Sequence, residues 1–191
     1  MSPGTRLRAT FPKTTDGPNV AEYAWSDGLT ATSPSNGRPG RLPHDLGHYI
    51  IESQVDVPYG FWALTARQAP FKSLTLVRGR WPRRKVEWFE RVKRKHQGEM
   101  LQAEAIGIVG RLSRGELDIH RDWKSIRRQL TRAYAYESDG PFAALTQRDL
   151  AAMVPFHDEL HRTWEAVPVG GALQVSWPKM NGPLVLASYP R

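Results

Sequence analysis

Strand-like sequence lies near both ends of this chain, and a long middle region with helical periodicity separates the two. Residues 21–25 (AEYAW) and 29–32 (LTAT) flank Ser26-Asp27-Gly28. Asp-Gly between two such runs is typical of a tight hairpin, because glycine accepts positive φ. Residues 172–177 (ALQVSW) and 183–188 (PLVLAS) flank a second turn signal at Asn181-Gly182. This order predicts an α+β fold, in which N- and C-terminal hairpins build a small antiparallel sheet that the helical middle region covers.

The 191-residue chain has the length of a single domain. We expect an N-terminal hairpin over 5–33, a helix over 43–54, a helical middle region over 61–167 and C-terminal strands over 172–188. The strands near 21–32 and 172–177 are predicted to share one antiparallel sheet.

Six helices are predicted in the middle region, and an apolar stripe at helical spacing marks the second, third and fourth of them. The six helices cover 61–68, a run from Arg83, a run to Leu112, 118–136, 146–153 and 155–167. Thr146 is the expected cap of the fifth helix, and Pro155 is expected to open or kink the sixth. Residues 71–82 fit either a loop or a short strand.

Composition excludes several classes of protein. The chain has no cysteine, which rules out disulfides, thiolate catalysis and zinc ribbons. No run of 18 apolar residues is present, so no membrane span is expected. The N-terminal residues lack the apolar stretch of a secretory signal, and we expect a cytoplasmic protein.

The stretch HDLGHYIIE, residues 44–52, concentrates side chains that bind metal ions. In a helix His44 and His48 lie one turn apart on one face, so their imidazoles can meet on one cation. Glu52 lies about 12 Å of helical rise from His44 and cannot share that cation. We predict a divalent metal, zinc by preference, bound by His44 and His48, with Glu52 or Asp45 as general base or orienting carboxylate.

Such a site would keep an open coordination position that activates water, which indicates a metal-dependent hydrolase or lyase acting on a small-molecule substrate. The helix is expected to bury Leu46, Tyr49 and Ile50 and to aim the face of His44, His48 and Glu52 at a cleft. The alternative is that this second face is only solvated.

A second copy of the pattern, HDELHRTWE, occupies residues 157–165. Four of the six histidines fall in the two copies, so His157 and His161 are further candidate metal ligands. Paired D-x-x-H segments resemble the E-x-x-H pairs of helical di-metal carboxylate sites. The alternative is that His157 and His161 edge the core beside Leu160 and Trp164.

Two short blocks resemble known families. LPHDLGHYIIE followed by GFWAL, with a W-E-x-x-P-x-G-G-x-L-x-x-x-W-P ending from Trp164 to Pro178, is similar to a signature of small uncharacterised bacterial proteins. The resemblance implies that the two blocks join one sheet. The H-D-x-x-H core is also similar to the zinc motif of the coenzyme Q biosynthesis family, which carries a glutamate about twelve residues later; here that position is Gly60, so the likeness covers His44, Asp45 and His48.

Positive charge is concentrated in one segment. Of a net charge of +8, residues 78–96 contribute nine Lys and Arg against two Glu. Phe89, Val92 and Val86 are predicted to face inward, and Trp81 and Trp88 lie among the cations. The candidate anion-binding residues are Arg83, Arg84, Arg91, Lys93, Arg94 and Lys95. The segment predicts either a solvated face or a non-enzymatic binding protein for nucleic acid, an acidic protein or another polyanion.

Overall fold

A single antiparallel sheet organises the computed structural model, which describes residues 6–15, 19–35, 42–100, 102–133, 145–178, 184–186 and 188–189. Its strands are β1 (Leu7–Pro12), β2 (Asn19–Trp25), β3 (Thr30–Ser35), β4 (Thr75–Arg78), β5 (Ala172–Trp177) and β6 (Leu184–Leu186). Its helices are α1 (His44–Glu52), α2 (Phe61–Ala66), α3 (Arg83–Lys95), α4 (Gln97–Met100), α5 (Ala103–Ser113), α6 (Trp123–Ala133) and α7 (Gln147–Ala166). Within the described ranges no helix is both long enough and apolar enough to span a bilayer.

The sheet joins the two ends of the chain, as predicted. Its strand order is β4-β3-β2-β1-β5-β6. Leu7 of β1 pairs with Trp25 of β2 on one side and with Trp177 of β5 on the other. The predicted α+β fold, with N- and C-terminal strands in one sheet beneath the helices, is confirmed.

The Asp27-Gly28 turn has the predicted chemistry. Gly28 takes a φ of +88°, and its N–H donates to the Trp25 carbonyl at 3.0 Å. The Leu29 N–H donates to the Asp27 carboxylate at 3.3 Å. The predicted turn at Asn181-Gly182 lies outside the described residues.

One face of the sheet carries the core. Alternating residues of the three central strands are buried, because side chains on a strand point to opposite faces in turn: Leu7, Ala9, Phe11, Ala21, Tyr23, Trp25, Leu173 and Val175. Helices α1, α2, α5, α6 and α7 supply buried apolar residues to the same cluster, and Trp62 and Trp164 are among the largest fully buried side chains.

The predictions for α6 and for α7 differ from the structure. Helix α6 begins at Trp123 rather than at residue 118, because the Asp118 carboxylate accepts the N–H groups of His120 and Arg121 at 2.9 and 2.7 Å and holds a turn there. Helix α7 is one continuous helix from a Thr146–Asp149 capping box. The buried residues Met153 and Phe156 continue its stripe across Pro155, so the proline does not divide it.

Residues 71–82 contain β4, which is an edge strand of the sheet. Its exposed Arg78 is typical of edge strands, since charge there discourages pairing with another chain.

On helix α3, Val86 is 40% exposed, so the prediction that its side chain faces inward is wrong.

Candidate functional site

Helix α1 lies inside the protein rather than on its surface. Pro43 precedes its first residue with φ −51° and ψ 138°, which suits a helix start. Seven of its nine residues are buried, including His48 and Glu52. The expectation that the His44, His48 and Glu52 face points into an open cleft is therefore wrong for His48 and Glu52, whereas His44 has a side chain that is 44% exposed.

Gln102 sets the tautomer of His48. The Gln102 amide NH₂ donates to Glu52 Oε1 at 2.9 Å and to the Glu99 carbonyl at 3.2 Å, so its other atom, Oε1, is the acceptor. His48 Nδ1 lies 3.1 Å from that oxygen and must donate. The lone pair of neutral His48 is therefore on Nε2, the nitrogen that a metal ion or a proton donor would use.

Burial favours the neutral form of this imidazole. His48 is 7% exposed, and desolvation, followed by the nearby His44, lowers the pKa of His48 to about 4. The two rings are T-shaped, with centroids 4.7 Å apart. At neutral pH, His48 is thus an uncharged imidazole with one defined tautomer.

The Glu52 carboxylate caps helix α2. It accepts the N–H of Trp62 at 3.1 and 3.0 Å and the N–H of Ala63 at 3.1 Å. A Cβ atom at Gly60 would overlap this carboxylate, so the backbone approach requires glycine there. Burial raises the pKa of Glu52 to about 7, although the backbone donors and Gln102 favour its charged form.

Asp45 connects His44 to the sheet. Its Oδ2 accepts the Tyr23 hydroxyl at 2.6 Å, and its Oδ1 lies 3.6 Å from His44 Nδ1. Its backbone carbonyl accepts the Trp62 indole N–H at 2.8 Å. Burial first, and Asp45 second, raise the pKa of Tyr23 well above its ordinary value, so Tyr23 remains a hydrogen-bond donor.

The second motif forms a separate pair on α7. His157 Nδ1 is 3.5 Å from the Asp158 carboxylate, which also accepts the Ser113 hydroxyl at 2.5 Å. His161 Nδ1 is 3.5 Å from Glu165. The rings of His157 and His161 stack with centroids 6.0 Å apart. Burial lowers the pKa of His157, whose side chain is 14% exposed, whereas the side chain of His161 is 37% exposed.

In the described ranges, no cluster of three or more His, Cys, Asp and Glu side chains is arranged to hold a metal ion. The two H-D-x-x-H motifs therefore do not converge on one di-metal centre there. What α1 offers is a pair of imidazoles with a carboxylate beside them.

The candidate anion-binding residues all lie on helix α3. Arg83, Arg84, Arg91, Arg94 and Lys95 are exposed and Lys93 is half-buried. The opposite side of the helix carries Phe89 and Val92, which are buried against Leu64 and Ala69. Trp81 is partly buried and makes a T-shaped contact with Trp25, with ring centroids 5.7 Å apart, so it belongs to the edge of the core.

Sequence reasoning missed Gln102 and Tyr23 as parts of the site. Gln102 lies 54 residues from His48 along the chain, and a lone glutamine carries no pattern that would reveal the contact. Tyr23 was identified only as a strand residue. Trp62, by contrast, belongs to the GFWAL block that stood out in the sequence.

Comparison of the chain with protein-family models, curated proteins and solved structures finds no match. The functional interpretation therefore rests on the geometry of the site.

Proposed function

We propose that the protein binds a divalent transition-metal ion through His44 and His48, and that this ion serves a hydrolase or lyase reaction on a small-molecule substrate. The observation that carries the proposal is the hydrogen bond from His48 Nδ1 to Gln102. Metal-binding histidines commonly donate their second ring N–H to a fixed acceptor, which sets the tautomer and leaves the other nitrogen for the metal.

The donor set fits a borderline ion such as zinc, because imidazole nitrogen is one of its preferred ligands. Asp45 lies beside His44 and is itself held by Tyr23, so it orients the more exposed imidazole. An ion held by two imidazoles keeps positions for water or substrate, where it acts as a Lewis acid and lowers the pKa of bound water.

Glu52 acts in this proposal as a positioning residue rather than as a general base. Its oxygens bind the N-terminal N–H groups of α2 and the Gln102 amide. It therefore fixes the orientation of Gln102, which in turn fixes His48. Asp45 is the better candidate for proton transfer at this site, since its side chain is 14% exposed.

Zinc content and affinity test the proposal directly. Protein purified without a histidine tag in zinc-replete medium is expected to hold close to one zinc per chain by elemental analysis. His44→Ala should weaken zinc binding at least about tenfold by titration calorimetry, and Gln102→Met by about tenfold or more, as for other residues that orient a ligand. His120→Ala is the matched control, because His120 is exposed and belongs to neither motif.

Circular dichroism must show that His44→Ala and Gln102→Met remain folded. Wild-type protein without zinc under these conditions, or equal affinity in the His44→Ala and His120→Ala variants, would contradict the proposal.

A further inference from the structure

Helix α3 carries positive charge on its solvent-exposed side, which does not pack against the apolar cluster of the fold. Phe89 and Val92 bury one side of the helix against Leu64 and Ala69. The other side carries the exposed cations of the segment, and the remainder of the chain is close to neutral. Excess charge in one place on an otherwise balanced protein attracts a polyanion.

Two of the six cations named above are already neutralised. Arg83 pairs with Glu87 at 2.9 Å, and Lys93 pairs with Glu90 at 2.9 Å. No ion pair to Arg84, Arg91 or Lys95 occurs among the residues that the structure describes.

Arg84, Arg91, Arg94 and Lys95 remain, and three of these four follow one line along the helix. Arg84, Trp88, Arg91 and Lys95 are spaced i, i+4, i+7 and i+11, which places them on one face over about 16 Å. We call these four residues the basic stripe. The half-buried Trp88 lies between Arg84 and Lys95, so the stripe combines three cations with one aromatic ring.

Further cations lie over the tryptophan ring, which also packs against the apolar cluster of Phe89. Lys85 Nζ and the Arg67 guanidinium lie 5.6 and 6.0 Å from the Trp88 ring centre and would have to move aside for a base to stack there. Partial burial first, and then Arg84 and Arg67, lower the pKa of Lys85, as expected where positive charges are close together. A base that stacks on Trp88 would bring its phosphates within reach of these groups.

We propose that the basic stripe of α3 binds single-stranded nucleic acid. Cations spaced along a line hold the phosphates, and an aromatic ring between them stacks a base without strong sequence preference. A membrane surface fits less well, since an interfacial helix inserts an apolar face and the apolar face of α3 is already buried in the protein.

Fluorescence anisotropy with a labelled oligothymidylate of about 12 nucleotides tests this inference. EDTA in the buffer removes bound metal ions, so any binding of the oligonucleotide is independent of the proposed metal site. With three phosphate contacts, the association constant should fall about 20-fold between about 50 and 200 mM salt. The triple variant Arg84→Ser, Arg91→Ser, Lys95→Ser should lose at least about tenfold in affinity at the lower salt concentration.

A control variant removes three positive charges from helix α6 instead of α3. Lys124, Arg128 and Arg132 are exposed cations of α6, and their triple serine variant should bind nearly as well as wild type. Trp88→Leu should weaken binding to oligothymidylate by about fivefold or more but leave binding to a duplex of equal length almost unchanged, because only unpaired bases can stack.

Three outcomes would overturn the inference: equal losses in the two triple variants, no difference between Trp88→Leu and wild type on single strands, or stripe-dependent binding to phosphatidylglycerol vesicles in place of oligothymidylate. Circular dichroism of each variant distinguishes loss of binding from loss of the fold.

Discussion

At the scale of the residue, burial moves the pKa values of His48 and Glu52 in opposite directions. Desolvation lowers the pKa of His48 to about 4 and raises that of Glu52 to about 7. Their ordinary order is reversed, so between these values both groups are uncharged. Gln102 joins two neutral partners in this range, which avoids the cost of burying an ion pair.

Both pKa shifts should affect how the stability of the metal-free protein depends on pH. The unfolded chain binds more protons at His48 between about pH 4 and 6.5, so this residue makes stability rise with pH in that window. The folded chain binds more protons at Glu52 between about pH 4.5 and 7, so this residue makes stability fall there. The two effects nearly cancel in the wild type.

Substituting Glu52 or His48 separately should reveal the contribution of the other residue to the pH dependence of stability. Relative to wild type, Glu52→Gln should gain about 3 kcal/mol of stability as pH rises from about 4.5 to 7, and His48→Gln should lose a similar amount from about 4 to 6.5. Urea unfolding in EDTA across this pH range measures both. Differences from wild type that do not vary with pH would show that the two groups titrate as they do in the unfolded chain.

At the scale of the element, the short helix α2 connects the two proposed sites. Six residues are too few for a stable isolated helix, so its surroundings must hold it. Glu52 caps its N-terminus, Trp62 donates to α1, and Leu64 packs against Phe89 of α3. Helix α2 therefore contacts both the buried α1 and the apolar side of α3.

Gly60 tests how closely α1 and α2 approach. Gly60→Ala should destabilise the protein by about 1 to 3 kcal/mol, because the added methyl group overlaps the Glu52 carboxylate. Gly107→Ala on α5 is the control: a Cβ there meets nothing within 4 Å, and alanine favours the helix by up to about 1 kcal/mol. Thermal unfolding measures the stability of the two variants. Equal stabilities would show that α1 and α2 lie farther apart at Gly60 than the structure indicates.

Most elements follow from local signals in the sequence, but the site does not. The Asp27-Gly28 turn and the apolar alternation of β5 identify the sheet, since both are short-range patterns. The burial of the polar side of α1 depends on Gln102 and α2, which reach it from distant parts of the chain. Helical spacing alone therefore predicted an accessible polar face, whereas His48 and Glu52 lie in a buried hydrogen-bond network.

At the scale of the whole molecule, β1 holds the sheet together. It pairs with β2 through four residue partners and with β5 through six, whereas β4 and β6 occupy the edges. Leu7 and Phe11 of β1 are at most 1% exposed and contribute directly to the core. Opening the sheet between β1 and β5 would expose the face on which the helices pack.

Hydrogen exchange should rank the strands accordingly. Amides of β1 that bond to its neighbours should exchange with the protection of global unfolding, and those of β4 at least about a hundredfold faster. Exchange measured by mass spectrometry on peptides covering 7–12 and 75–78 provides the comparison. Equal protection of the two strands would contradict the central role of β1.

The pairing of β1 with β5 also has a consequence for biosynthesis. The ribosome completes β1 well before its partner at Ala172–Trp177, which emerges only after more than 150 further residues. At about 5 to 20 residues per second, that interval lasts on the order of 10 to 30 seconds. During this time the apolar strand Leu7–Pro12 has one unpaired side, so the nascent chain is the form of this protein most exposed to aggregation and the one on which chaperones would act.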